Sequence, residues 1–308
     1  MLSVRRIAAF LVAWLLASGA GALAETRISV LYPESTPALV RLYQTIIYGM
    51  STASDVRVQS RAVSEQTSPD EVGIWLQEHR SQVTVALGDL PPALTDPLSS
   101  TSPLIYGASA LNDNAHPGVS LASSPARMFD RLRQIKPDVE RVFVLYRPQS
   151  SGWLIAAARS AAREQGLELT ATGCEDAQQA GAALSRILQQ ARPGRDAIWL
   201  TLDPVVPLNQ LLPVLLRESW DKDLVLFSNN PVDVAKGALF ALYPDYPAMG
   251  RQLAERAKRQ AARPSLSGPE ASEHLRGAFN TRTASHLGIV PSERLLKSFD
   301  RTFPEEPR

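Results

Sequence analysis

Two aspartates, Asp89 and Asp203, each stand just past a strand-like run, in "GDLPP" (88–92) and "LDPVVP" (202–207). A pair of carboxylates at strand ends is what acid–base hydrolysis across a cleft would need. Hydrogen bonding to a ligand, or helix capping, explains each aspartate more simply. Other strand ends carry the same kind of residue. Tyr32 and Ser35 lie in "YPEST", Gly88 precedes Asp89, and Ser109 lies in "GASALND". Ser150, Ser151 and Trp153 lie in "YRPQSSGW", and Asn229 in "SNNPVD". In open parallel sheets, ligands sit beyond the carboxyl ends of the strands. Short loops of Ser, Asn, Asp, Gly and aromatics there suit a small polar ligand held between apolar walls. Any one of these loops is also an ordinary turn. As a set they point to a ligand crevice.

Signatures of catalysis are missing from the chain. It has no G-x-S-x-G elbow, no phosphate-binding Walker loop, and no G-x-G-x-x-G after the first strand. Its histidines, His79, His116, His274 and His286, lack the spacing of a metal site. Cys174, the single cysteine, lies in "TGCEDAQ" and cannot form an intrachain disulfide. An incidental small residue is the simpler reading of it. The expectation is a binding protein without cofactor, metal or catalytic residues.

The elements that would position these loops alternate between strand and helix. "RISVLY" (27–32) is a strand, and Thr36-Pro37 opens a helix with Leu39, Leu42, Tyr43, Ile46, Ile47 and Met50 at helical spacing. "VRVQSRAV" is a second strand. Ser68, Pro69 and Glu71 read as a capping-box start for a helix that turns Val72, Trp75 and Leu76 inward. "QVTVALGD" is nearly continuous in apolar residues, as a parallel strand buried on both faces should be. "SSPARMFDRLRQI" follows with Met128, Phe129, Leu132 and Ile135 on one face, and then "RVFVLY" and a helix stopped at Gly166. About ten such units predict parallel sheets with crossover helices. That is too many for one closed (β/α)₈ barrel, and the series restarts near residue 118. The fold class expected is α/β, with two doubly wound parallel-sheet lobes, a hinge and an interlobe cleft. "ARPSLSGPEAS" (262–272) reads as a linker or crossover.

Composition narrows the setting. The chain has 308 residues, of which 44% are hydrophobic and 20% charged, enough for two lobes with real cores. A net charge of +1 with no lysine- or arginine-rich run leaves no footprint for nucleic acid or anionic membranes. Arg5 and Arg6, the apolar "IAAFLVAWLLA" and Ala22-Leu23-Ala24 form a cleavable export leader over 1–24. A membrane anchor is the alternative, but the apolar stretch is short. No direct membrane insertion is expected after cleavage, and the mature chain is expected to be soluble and periplasmic. The boundaries expected are a first lobe over 25–117, a second over 118–242, a return to the first over 243–270, and a crossover with closing helices over 271–308.

Four stretches carry a resemblance. "VERVFVLYRPQSSGWLIAAARSAAREQGLEL", "DAIWLTLDPVV", "GALFALYPDYPAMGRQLAERA" and "FNTRTASHLGIVPSERLL" follow one another in register. Together they resemble the periplasmic ABC-transporter substrate-binding proteins of the tryptophan/tyrosine-binding type, over roughly residues 80 to 303. The resemblance implies a type I periplasmic-binding fold, closing on an amino acid or similar small molecule. By position, Ser150-Ser151 match the family's second-lobe ligand loop, Asp203 its acidic residue after the next inner strand, and Gly88-Asp89 the opposing first-lobe loop. The first-lobe start, "YPESTPALVRLYQ", departs from the family pattern, and so does "AHPGVSLASS" at the first crossover. The residues that would grip an α-amino acid in that lobe are not recognisable. The implied function is capture of a small molecule for delivery to a membrane permease. A ligand-presenting sensor for a receptor such as a histidine kinase is the alternative, and an exported hydrolase using Asp89 and Asp203 the third. Ser151→Ala or Asp203→Asn is expected to weaken binding and barely move the melting temperature of the empty protein.

Overall fold

A computed structural model describes residues 25–99, 102–110, 117–264 and 267–305. The leader expected over 1–24, His116 and the end of the 107–113 loop lie outside the described residues. The alternation predicted from sequence folds into two sheets. The first half gives β1 (Thr26–Pro33), α1 (Pro37–Ser51), β2 (Val56–Val63), α2 (Pro69–Glu78), β3 (Val83–Leu87), α3 (Pro92–Ser99), β4 (Leu104–Gly107) and β5 (Gly118–Ser123). The second gives α4 (Pro125–Ile135), β6 (Arg141–Tyr146), α5 (Pro148–Glu164), β7 (Glu168–Gly173), α6 (Ala177–Gln190), β8 (Asp196–Leu200), α7 (Leu208–Asp221), β9 (Val225–Ser228), α8 (Pro231–Lys236) and β10 (Phe240–Pro244). The chain ends with α9 (Tyr246–Ala262), β11 (Pro269–Ser272), β12 (Leu275–Asn280), α10 (Thr281–His286), α11 (Glu293–Lys297) and β13 (Arg301–Phe303).

The sheets share one winding. The first runs β11-β5-β4-β3-β1-β2, and the second β13-β12-β10-β9-β8-β6-β7. Five successive strands in each lobe therefore lie in the doubly wound order 2-1-3-4-5. All described pairings are parallel except β10 with β12. The two α/β lobes of a type I periplasmic-binding fold are formed, and among the described residues no single barrel closes.

Helices cover both faces of each sheet, which is why the inner strands read as unbroken apolar runs. On the first sheet, Ile28, Val30, Val85 and Ile105 face Ile46, Met50, Leu253 and Ala257 of α1 and α9. Leu31 and Val63 meet Val72, Leu76, Leu94 and Leu98 on the other face. The α1–α9 crossing is close because both helices present glycine: a Cβ on Gly49 would lie 2.7 Å from Pro247 Cα, and one on Gly250 2.8 Å from the Met50 backbone nitrogen. In the second lobe Trp199 stacks on Phe227 at 6.3 Å with Phe129 edge-on at 5.6 Å.

The chain passes between the lobes three times: from β5 into α4, from β10 into α9, and from β11 into β12. The passages are tied together. Ser123 Oγ donates to the Leu242 carbonyl at 2.7 Å, and Ser272 Oγ to the Ser120 carbonyl at 2.8 Å. The Ser124 N–H donates to the Ser272 carbonyl at 2.9 Å. Short polar side chains let these three extended segments lie against one another without burying unpaired backbone groups.

Candidate functional site

A reversal of winding leaves a crevice beyond the strand ends on either side of it. Here the reversals fall between β1 and β3 in the first lobe and between β6 and β8 in the second. Tyr32 and Gly88-Asp89 end the first pair, while Ser150-Ser151 and Asp203 follow the second. The sequence marks these loops one by one, and the topology brings them to the two crevices.

In the first lobe, Tyr32 and the buried Tyr43 place their rings 5.9 Å apart. Gly88 adopts φ +70°, and its N–H donates to the Gly107 carbonyl at 2.8 Å. Glycine is required twice over at this position. The left-handed backbone disfavours a side chain, and a Cβ would collide with the Tyr43 hydroxyl. Burial raises the Tyr43 phenol above the usual tyrosine range, and the neighbouring Asp89 charge adds to the rise. Asp89 itself is exposed, as is Ser35 in the connection before α1. Ser109 is buried beside Ala108, which holds a left-handed φ of 54°. The Ser109 carbonyl accepts the Leu121 N–H at 3.0 Å.

In the second lobe, Asp203 is a buried hub. Its Oδ2 accepts the Ser151 hydroxyl at 2.6 Å, the Arg147 backbone N–H at 2.8 Å and the Ser150 hydroxyl at 3.4 Å. Its Oδ1 accepts the Val205 N–H at 2.8 Å. This carboxylate therefore fastens the start of α5 to the β8–α7 connection, and its acceptor capacity is largely taken. Pro148 suits the first turn of α5, where a missing N–H costs nothing. Asn229 lies in the core: its Oδ1 accepts the Trp199 indole N–H at 2.8 Å, and its Nδ2 faces Met128 Sδ at 3.9 Å. Trp153 is partly buried on α5 and lines a separate groove of about 470 Å³, with Gln252 of α9 and Glu270 of β11 opposite.

One residue escaped the sequence reading. Arg147 follows β6 directly and begins the loop that Asp203 fastens, and its Nε is buried with no hydrogen-bond partner. The available signal was a lone cation in an otherwise neutral loop, "YRPQSSGW". Among the described residues, no group of three or more His, Cys, Asp and Glu side chains could hold a metal ion. Cys174 is buried, and burial raises its thiol above the usual range; the Arg186 charge opposes the rise, and the Asp176, Asp203 and Glu175 charges add to it.

No family model and no curated protein sequence matches the chain. Solved structures do. A ligand-free, open substrate-binding protein with adhesive properties from Clostridium difficile aligns over 90% of this chain and 98% of its own, with TM-score 0.58 and 14% identity. An ABC domain in complex with L-Trp from Streptococcus pneumoniae covers 91% of this chain and 100% of its own, with TM-score 0.53 and 16% identity. A conserved domain protein from Vibrio cholerae covers 90% and 99%, with TM-score 0.52 and 16% identity. At identities this low the structural likeness shows a shared fold alone.

Proposed function

We propose that the chain is an exported solute-binding protein that takes a small molecule between its lobes and hands it to an ABC-type permease. The carrying observation is that both lobes reverse their winding next to the polar loops chosen from sequence, so each lobe offers a crevice. Two neighbours on this fold are described as a substrate-binding protein and as a complex with L-Trp, which favours capture of an amino acid or similar molecule. A ligand touching both lobes would favour a closed state by the difference in its affinity for closed and open forms. Catalysis has little support. Asp203 already accepts four hydrogen bonds and would make a poor general base.

Export rests on the leader-like start, and no described helix is long and apolar enough to cross a membrane. A periplasmic product beginning at Glu25 is expected from N-terminal sequencing. Thermal-shift screening of amino acids, peptides and organic acids, followed by small-angle scattering, tests the binding reading. A stabilising ligand that also compacts the protein supports it, whereas turnover of a substrate, lost in Asp203→Ala, would replace it with the hydrolase. Neighbouring permease and ATPase genes would favour transport, and an adjacent sensor-kinase gene would favour signalling.

A further inference from the structure

We infer that Arg147 is the anion-recognition residue of the second-lobe crevice, and that the molecule bound there presents a carboxylate to its guanidinium. This rests on the small-molecule reading above and adds the charge and polarity of the ligand.

Three described arginines bury an Nε that has no hydrogen-bond partner: Arg141, Arg147 and Arg256. Two of them use their other guanidinium nitrogens within the protein. Arg141 Nη2 donates to Asp196 at 2.6 Å. Arg256 pairs with Glu270 and donates to the Gly268 carbonyl at 2.5 Å. Arg147 differs. Among the described residues its guanidinium has neither an ion pair nor a hydrogen-bond partner, and its one donated bond comes from the backbone. The residue is half-buried, with its Nε withdrawn from water and left unpaired, and an unpaired buried donor is costly, so a partner is expected to reach the group.

The carboxylates of the adjoining loops do not pair with it. Asp203, which binds the Arg147 backbone, also takes Ser150, Ser151 and the Val205 N–H. Glu175 accepts from Gln149 Nε2 at 3.1 Å. No described acceptor meets the Arg147 guanidinium, and Arg147 stands at the winding reversal between β6 and β8, where a ligand can supply the partner. A guanidinium offers two parallel N–H donors that match the two oxygens of a carboxylate. The Ser151–Asp203 contact then has a positioning task. It holds the loop carrying Arg147 while leaving the guanidinium uncommitted.

The test is calorimetry on the purified protein with matched probes: 3-phenylpropionate and its amide, phenylalanine and its amide, butyrate and butyramide, and phenyl phosphate. At least one acid is expected to bind, and its amide to bind roughly tenfold to a hundredfold more weakly, as loss of a charge-assisted bond predicts. Arg147→Gln is expected to abolish that preference, and Arg147→Lys to retain part of it. The thermal midpoint of the empty protein should not fall in either variant, since no internal partner is lost. Equal affinity for acid and amide, or full affinity in Arg147→Gln, would overturn the inference and leave the binding reading standing. Preference for phenyl phosphate over every carboxylate would overturn the carboxylate assignment. Binding of no probe, together with no hit in the wider screen, would remove both readings.

Discussion

The Ser151 hydroxyl and the Asp203 carboxylate stand 2.6 Å apart, and the same carboxylate oxygen takes the Arg147 backbone N–H. A candidate site residue so heavily engaged inside its own lobe is also a structural one. From sequence alone, Asp203→Asn is expected to leave the empty protein's melting temperature nearly unchanged. The geometry now predicts otherwise. Asp203→Asn is expected to cost about 2–4 kcal/mol, because several donors lose a charged acceptor at once. Ser151→Ala is expected to cost only about 1 kcal/mol. Urea titrations of both variants and of the double variant check this, and additive losses would contradict the coupling.

The glycine contact between α1 and α9 makes a sharper stability prediction. In Gly49→Ala or Gly250→Ala the new methyl meets fixed backbone, at Pro247 and at Ile46–Met50 respectively. Forcing extra atoms into such a contact costs about 1–3 kcal/mol or more. Gly73 of α2 is the control, since a Cβ there meets nothing within 4 Å. Gly73→Ala should stabilise by about 0.5–1 kcal/mol through helix propensity alone. Denaturant midpoints for the three variants would settle the ordering.

Gly88 and Tyr43 form a second testable pair. Gly88→Ala combines an unfavourable φ of 70° with a clash at the Tyr43 hydroxyl. Removing that hydroxyl in Tyr43→Phe is expected to rescue only part of the loss. The ring carbon Cζ would still lie 3.0 Å from the new Cβ, and the left-handed backbone would keep its strain of about 1–2 kcal/mol. Complete rescue would show that the backbone conformation is not a constraint.

Two buried carboxylates give opposite pH signatures. Burial raises the Asp233 carboxyl above its ordinary range, even though Ser228 and Lys236 oppose the rise. Its contribution is fully present below about pH 3.9 and is lost as pH rises through the raised folded value. Asp233→Asn should therefore gain on the wild type between pH 4 and neutrality. Burial also pushes Asp196 upward, but hydrogen bonds from Arg192 and Arg141 outweigh it and hold the group below the usual range. That contribution is present above about pH 3.9 and vanishes as pH falls through the lowered folded value. Asp196→Asn should be most damaging at neutral pH, by about 2–3 kcal/mol, and less so toward pH 2. Guanidinium titrations over that range measure both, and parallel curves for either variant would refute its assignment.

Much of the architecture was legible because burial leaves periodic marks. Met128, Phe129, Leu132 and Ile135 were read as one face of a helix, and all four are buried. Val83–Leu87 was read as buried on both faces, and every residue of it is. In the closing stretch, Asn280 caps α10 by accepting the Thr283 N–H at 2.9 Å, and Gly288 turns at φ 67°. Ser68 accepts the Glu71 N–H at 3.2 Å as expected, whereas Thr36, which opens α1, makes no side-chain cap bond. Two edge strands were invisible. Pro269–Ser272 looked like linker because an edge strand tolerates proline and polar residues, and Arg301–Phe303 is only three residues long. At the site, residue types marked the loops but not how side chains spend their bonds. Asn229 stands at a strand end like a ligand residue, yet its amide is engaged by Trp199 and Met128. Arg147 went unremarked because its significance lies in a contact it does not make.

Trp153 has a further consequence. Its indole belongs to α5 of one lobe, whereas Gln252 and Glu270 across the groove belong to elements of the other. Relative rotation of the lobes would alter how much water and carboxylate charge surrounds this ring. The chain thus carries an intrinsic fluorophore at its seam, whose emission would report lobe motion without any attached dye.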